Sequence, residues 1–280
     1  MRLKSYIIQL DLKKAYFLSK GWGTPHSSAL ESGLQKRLDA VQISGISDYV
    51  EFLSQHNDEI IKLIDSLTIH VSRFFRNPLT YNYIENIVLP QIMRNRASIG
   101  SNSLRIWSAG CSTREEPYSM AIIIQEFLEN NNQSVQLNIF ATDIDPQILS
   151  KAKSAEYSFD DIKNMRIGLV KRYFTEKGSV YKLRSSIKNM VDFSVFDLSD
   201  KQSKAPPSSI YGEFDLVLCR NVLIYFQDYY QDVIFKKLYQ SLIHGGYLVL
   251  GEAETIPVKY KNSLSRLNYH SQIYQVNKNS

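Results

Sequence analysis

The sequence predicts an α/β protein in two parts. Residues 1–76 form a small helical domain, and residues 77–280 form a Rossmann-like parallel sheet with a small antiparallel excursion at 168–190. Three observations carry this prediction. Residues 104–118 (LRIWSAGCSTREEPY) read as a strand, a tight turn and a helix start. Strand-like and helix-like segments alternate after it, as in a parallel sheet. Residues 214–219 (FDLVLC) are a continuous apolar run with one acid, the pattern of a strand buried on both faces.

The elements follow in order. Tyr6, Ile7, Leu10 and Leu12 predict a short first helix, which Gly21, Gly23 and Pro25 interrupt. Leu30, Leu34, Leu38 and Val41 recur at helical spacing, with Lys36 and Arg37 on the other side. Ser47 can cap a further helix with Tyr49, Val50, Phe52 and Leu53 on its apolar face. Ile60, Ile61, Ile64 and Leu67 make another face. Asn77 before Pro78 reads as a cap and first turn. Leu104, Ile106 and Trp107 supply the first strand; after the turn, Met120, Ile123, Ile124 and Phe127 supply one helical face.

Residues 137–142 (LNIFAT) are the second strand, and Asp145-Pro146 starts a helix. Residues 153–168 are mixed and helix-prone. Tyr173-Phe174 and residues 180–183 make a short hairpin around Lys177-Gly178-Ser179. Residues 190–196 are the third strand, and 200–212, with Pro206-Pro207, a loop. Residues 233–242 are helical, closed by Gly245-Gly246 in the left-handed cap position, with a strand at 247–250. Residues 269–276 add one or two edge strands.

Composition narrows the function. No run approaches the roughly 18 apolar residues of a membrane span, and Asp11 interrupts the apolar N-terminal patch, so a cytoplasmic protein is expected. The two cysteines, Cys111 and Cys219, lie far apart and the five histidines are scattered, so no metal site is expected. The net charge is +5, but no Lys/Arg run of five exists, which argues against nucleic acid and for a solvated surface.

Ligands of open α/β sheets lie at the carboxyl ends of the strands. Four such ends carry polar residues here: 110–116, Asp143, Asp197 and Arg220-Asn221. Asp143 stands where a ribose-hydroxyl acceptor is usual. The first turn has one glycine and neither G-x-G-x-x-G nor a P-loop, so it lacks the amide cradle that phosphates need. A phosphate-free nucleoside remains, and S-adenosylmethionine is the common one; nearby acids suit its positive charge.

At this level the residues become specific. WSAGCSTREEPYSMA, ATDIDPQIL and FDLVLCRNVLIYF, with SRFFRNP upstream and GGYLVLGEAETI downstream, resemble the CheR family of chemotaxis receptor methyltransferases over nearly the whole chain. The resemblance implies an N-terminal helical domain and an S-adenosylmethionine-dependent methyltransferase sheet with an inserted antiparallel β-subdomain. It implies methyl-ester formation on glutamates of chemoreceptor cytoplasmic helices, leaving S-adenosylhomocysteine. Carried over, the cofactor contacts are His70, Ser72, Arg76, Glu116, Asp143, Asp197, Leu198, Arg220 and Asn221. Arg76 and Tyr225 face the transferring methyl and the substrate carboxylate. Lys36 and Arg37 read as a solvated helix face, while the resemblance implies that this basic side docks on the acidic methylation-site helices.

Four positions depart from the family pattern. Arg114 replaces a typical glycine, His70 and Asp197 replace asparagines, and Ser72 replaces a threonine. The turn at Lys177-Gly178-Ser179 is short, which predicts no need for a receptor C-terminal tether peptide. Arg114 also motivates an alternative reading, a cofactor-binding module with little or no turnover.

Plainer roles compete at several positions. Glu115 and Glu116 suit a helix N-terminus. Asp145 reads as a cap, Phe226 as a core aromatic, and both cysteines as small buried groups.

Overall fold

A computed structural model describes residues 27–56, 59, 62–63, 73–209, 212–226 and 228–277. The expected first helix, its break at 21–25 and most of the helix around Ile60–Leu67 lie outside these residues. Two compact units divide the chain: one holds the residues up to Val71 and Ile224–Gln231, the other Ser72–Leu223 and Asp232–Ser280.

In the first unit, α1 (Ser27–Val41) and α2 (Ile46–Gln55) are tied together by Glu59. Its carboxylate accepts a two-bond fork from Arg37, both bonds 2.8 Å, and a bond of 2.9 Å from the Tyr49 hydroxyl. This corrects the expectation for Arg37. Its guanidinium is bound within the unit, while Lys36 alone of the pair is exposed.

The second unit opens with α3 (Pro78–Tyr83), which widens through a π-turn, Ile84–Val88, into α4 (Leu89–Ser98). Pro90 lacks the N–H that would bond the carbonyl of Asn86, and the helix widens just there. Asn77 does precede Pro78, but in a left-handed conformation (φ 63°) and without capping the helix; its side chain binds Arg220 instead.

The chain continues as β1 (Ser103–Ala109), α5 (Glu115–Asn130), β2 (Gln136–Asp143) and α6 (Pro146–Ser154). Then come β3 (Glu156–Tyr157), α7 (Phe159–Ile162), α8 (Ile167–Tyr173), β4 (Phe174–Lys177), β5 (Val180–Leu183), α9 (Ser185–Lys188) and β6 (Val191–Val195). The last elements are β7 (Phe214–Cys219), α10 (Asp228–Ser241), β8 (Leu242–Leu250), β9 (Leu264–Arg266) and β10 (Ile273–Val276).

The main sheet has the order β6-β2-β1-β7-β8-β10-β9. Its first five strands are parallel, while β10 is antiparallel to both β8 and β9. The small sheet is antiparallel, β3-β5-β4, so its first strand lies upstream of residue 168.

Both faces of the central strands are covered, and β7 is buried at every position. Leu104, Ile106, Ile139, Leu216 and Leu218 pack with α5 in the larger core. Elsewhere in the sheet, Trp107 meets Phe196 and Phe214, and Phe140 meets Phe214, with ring centroids 5.5–5.7 Å apart.

One expectation fails at β8. Gly245 and Gly246 do not close the preceding helix, which ends at Ser241. They lie inside the strand, where Phe214 pairs with Leu242 but Leu216 pairs with Tyr247. Gly245 takes φ +76°, so the extra residues of this bulge use the conformation that the sequence reading assigned to a cap.

Candidate functional site

The turn between β1 and α5 is shaped by contacts to neighbouring strand ends. Gly110 (φ +73°) lies so close to Val222 that a Cβ would come within 2.6 Å of its side chain. The amides of Gly110 and Cys111 both donate to the Thr142 carbonyl, at 2.8 and 2.9 Å. The Ser112 amide donates to Asp143 Oδ2 at 2.8 Å, and the Asp145 amide to Asp143 Oδ1 at 3.1 Å. Asp143 therefore orders the turn. Asp145 caps α6, accepting from the Ile148 amide at 3.4 Å.

Glu116, in the first turn of α5, accepts from Ser108 Oγ at 2.8 Å and from Arg220 Nη1 at 3.4 Å. Burial raises its pKa, with Arg220 and Ser108 opposing the rise. Arg220, just past the end of β7, is itself buried. Its Nη2 donates to the carbonyl of Arg76 at 2.8 Å and to Asn77 Oδ1 at 2.9 Å, and its plane lies 5.4 Å from the Tyr81 ring centre. Its Nε has no partner. Arg76 is exposed and stands between two residues in left-handed conformations, Phe75 (φ 54°) and Asn77 (φ 63°).

The third strand end joins the same edge, because the Phe196 amide donates to the Asp143 carbonyl at 2.9 Å. Asp197 folds back on Ser199, accepting from its amide at 2.8 Å and its hydroxyl at 2.6 Å. Leu198 is buried. Asn221 is left-handed (φ 59°), with its amide on Glu254 at 2.9 Å.

Glu116, Asp143, Asp197, Leu198, Arg220, Asn221 and Arg76 thus line neighbouring strand ends of one unit. Tyr225 closes a single 3₁₀ turn, Leu223–Tyr225, and belongs to the other compact unit; Phe226, also of that unit, is buried as expected. His70 and Ser72 lie outside the described residues.

Two supporting residues escaped the sequence reading. Glu254 is buried and accepts four backbone N–H groups: Gly251 at 2.6 Å, Asn221 at 2.9 Å, Val222 at 2.8 Å and Leu223 at 2.7 Å. It binds the loop after β8 to the loop after β7. Lys237, buried on α10, donates to the carbonyls of Leu198 at 2.9 Å and Asp200 at 2.7 Å, and so holds the Asp197–Leu198 loop. Burial lowers its pKa. Glu254 lies in the downstream motif already quoted, whereas Lys237 gives no sequence signal.

Arg114, the N-cap of α5, is left-handed (φ 81°) and buried. Its guanidinium carbon lies 5.7 Å from the Tyr157 ring centre, and its Nε and Nη1 have no partners. This conformation costs an ordinary residue about 1–2 kcal/mol, which explains a typical glycine there.

Cys111 and Cys219 are buried free thiols, with pKa values pushed well up by desolvation. Among the described residues, no group of three or more His, Cys, Asp or Glu is placed to hold a metal ion.

The donor set fits a phosphate-free nucleoside with a cationic end. A desolvated carboxyl with unfilled acceptor capacity, Glu116, stands at the turn, and Asp143 and Asp197 stand at the next two strand ends.

Comparison with known proteins agrees with this chemistry. Residues 70–273 match the model of the CheR methyltransferase SAM binding domain, and residues 27–68 that of the CheR methyltransferase all-alpha domain. A chemotaxis protein methyltransferase of Borreliella burgdorferi is 33% identical over 230 residues, covering 81% of this chain and 80% of the relative. Chemotaxis protein methyltransferase 1 of Pseudomonas aeruginosa is 31% identical, covering 84% of each. The Escherichia coli chemotaxis protein methyltransferase is 31% identical, covering 79% of this chain and 74% of the relative.

Proposed function

The chain belongs to the CheR methyltransferase family, and from that premise we propose that it forms methyl esters on glutamate side chains of chemoreceptor cytoplasmic helices. It is an S-adenosylmethionine-dependent methyltransferase of chemotaxis. The observation that carries the finer reading is the cluster of Glu116, Arg220 and the Arg76 segment at the carboxyl edge of the sheet.

When bound, S-adenosylmethionine supplies a methyl group on a sulfonium. The residues do the rest by binding and alignment. A glutamate carboxylate has a reference pKa of about 4.3 and is ionised near neutral pH, so no general base is required. Arg76 holds this carboxylate, since its planar fork matches the two oxygens. Glu116 receives the cationic end of the cofactor, Asp143 a ribose hydroxyl, and the Asp197–Leu198 loop the adenine. Desolvation of both reactants and in-line placement supply the rate.

Recognition is of the receptor helices themselves. β4 and β5 are joined by the two-residue turn Gly178-Ser179, with Lys177 paired to Val180, and no receptor tether is required. No helix among the described residues is long and apolar enough to cross a membrane, and the reading places the protein in the cytoplasm.

The test is transfer from labelled S-adenosylmethionine into receptor-bearing membranes, followed by alkali. Base-labile label is expected, as from a carboxyl ester. Alkali-stable label would contradict glutamate esterification. Tight S-adenosylhomocysteine binding without transfer to any receptor would favour the binding-module alternative.

A further inference from the structure

The backbone that presents Arg76 is bent on both sides. Phe75 (φ 54°) and Asn77 (φ 63°) occupy the left-handed region, which a bulky residue such as phenylalanine rarely adopts. Such a conformation persists only where its surroundings impose it.

Each bend has its own holder. On the Asn77 side, Arg220 bonds the Arg76 carbonyl and the Asn77 side chain. On the Phe75 side, the Phe75 amide donates to Ser119 Oγ at 3.0 Å. Ser119 is fully buried in the second turn of α5, and its hydroxyl proton goes to the Glu115 carbonyl at 2.5 Å. That second bond is ordinary for a helical serine. The first is not: it binds an amide 44 positions away in the chain.

We propose that Ser119 is a positioning residue for methyl transfer. It fixes the bend at Phe75, and so sets where the Arg76 guanidinium stands relative to Glu116, which lies three residues earlier on the same helix. One rigid element then places both the carboxylate that takes the cofactor and the arginine that takes the substrate. The proposal rests on Arg76 holding the substrate carboxylate.

A mutant cycle separates the two ideas. Turnover, the KM for receptor and S-adenosylhomocysteine affinity are measured for wild type, Ser119→Ala, Arg76→Ala and the double variant, with thermal melts as controls. Ser119→Ala lowers kcat about tenfold, because small misplacements are costly in aligned reactions. It leaves cofactor affinity within about twofold, and it causes no further loss in the Arg76→Ala background. Ser119→Cys keeps the volume but weakens the acceptor, and it shows the same loss in kcat.

An equal loss from Ser119→Ala with and without Arg76 would overturn the positioning role while leaving Arg76 in place. So would a fall in cofactor affinity that matches the fall in rate. Unchanged turnover in Arg76→Ala would overturn the reading of Arg76 and this proposal together.

Discussion

Strand β7 has an arginine–carboxylate pair at each end, each with one buried and one partly buried member, and the two are built differently. At its start, Asp215 accepts a fork from Arg96 at 2.5 and 3.0 Å and the Arg105 amide at 2.9 Å. Just past its end, Arg220 reaches Glu116 once, at 3.4 Å, and its other Nη bonds go to neutral acceptors. Burial raises the pKa of both carboxyls. The first pair is closed, with short charge-assisted bonds on both oxygens. The second holds its carboxyl in place without filling it. In a parallel sheet the carboxyl edge takes the ligand, so a filled pair belongs at one end and an under-filled pair at the other.

The largest effect is expected at the closed end. Arg96→Ala leaves Asp215 buried without its partner and costs about 3–5 kcal/mol. A melting temperature about 10 °C lower follows for a domain of this size. Cofactor affinity of the folded fraction stays unchanged in calorimetry; a fall there would erase the distinction between the two ends.

Glu116→Gln is next. Removing the charge weakens S-adenosylhomocysteine binding roughly tenfold, or about 1.4 kcal/mol. The apo melting temperature holds or rises slightly, because the amide escapes the desolvation of the carboxylate. A melt as damaged as that of Arg96→Ala would make Glu116 a structural residue.

The pH dependence sharpens this. The folded pKa of Glu116 lies above its unfolded value, so this group's stability contribution is present at low pH and lost as pH rises through the folded pKa. Cofactor binding runs the other way, since the ammonium favours the ionised carboxylate. Affinity therefore falls on acidification in wild type and stays flat in Glu116→Gln.

The smallest effect is expected beside the pair. Arg114→Gly relieves the left-handed strain and removes two unpartnered buried donors, raising stability by about 1–2 kcal/mol. Cofactor affinity stays within about twofold, as read by calorimetry. A large loss would make the Arg114 side chain part of the cofactor site.

The strands and the acids at their ends were legible because periodicity and turn composition are local. β1, β2 and β7 needed only their own residues to be read, as did the helix start at Pro146. What escaped depends on distant partners. Asn77 reads as a cap, but Arg220, 143 positions away, takes its side chain. Arg37 reads as surface charge until Glu59 folds beneath it. Gly245 signals a left-handed residue, but only pairing with β7 decides between a cap and a bulge. The acid in FDLVLC was visible, but not the arginine that neutralises it from α4.

The most direct test is calorimetric titration of S-adenosylhomocysteine into wild type and Glu116→Gln between about pH 5 and pH 8. One site per chain is predicted, tightening with pH in wild type and weak and flat in the variant. No binding by folded wild type, or matching curves for the two proteins, would contradict the assignment of this end of β7 to the cofactor.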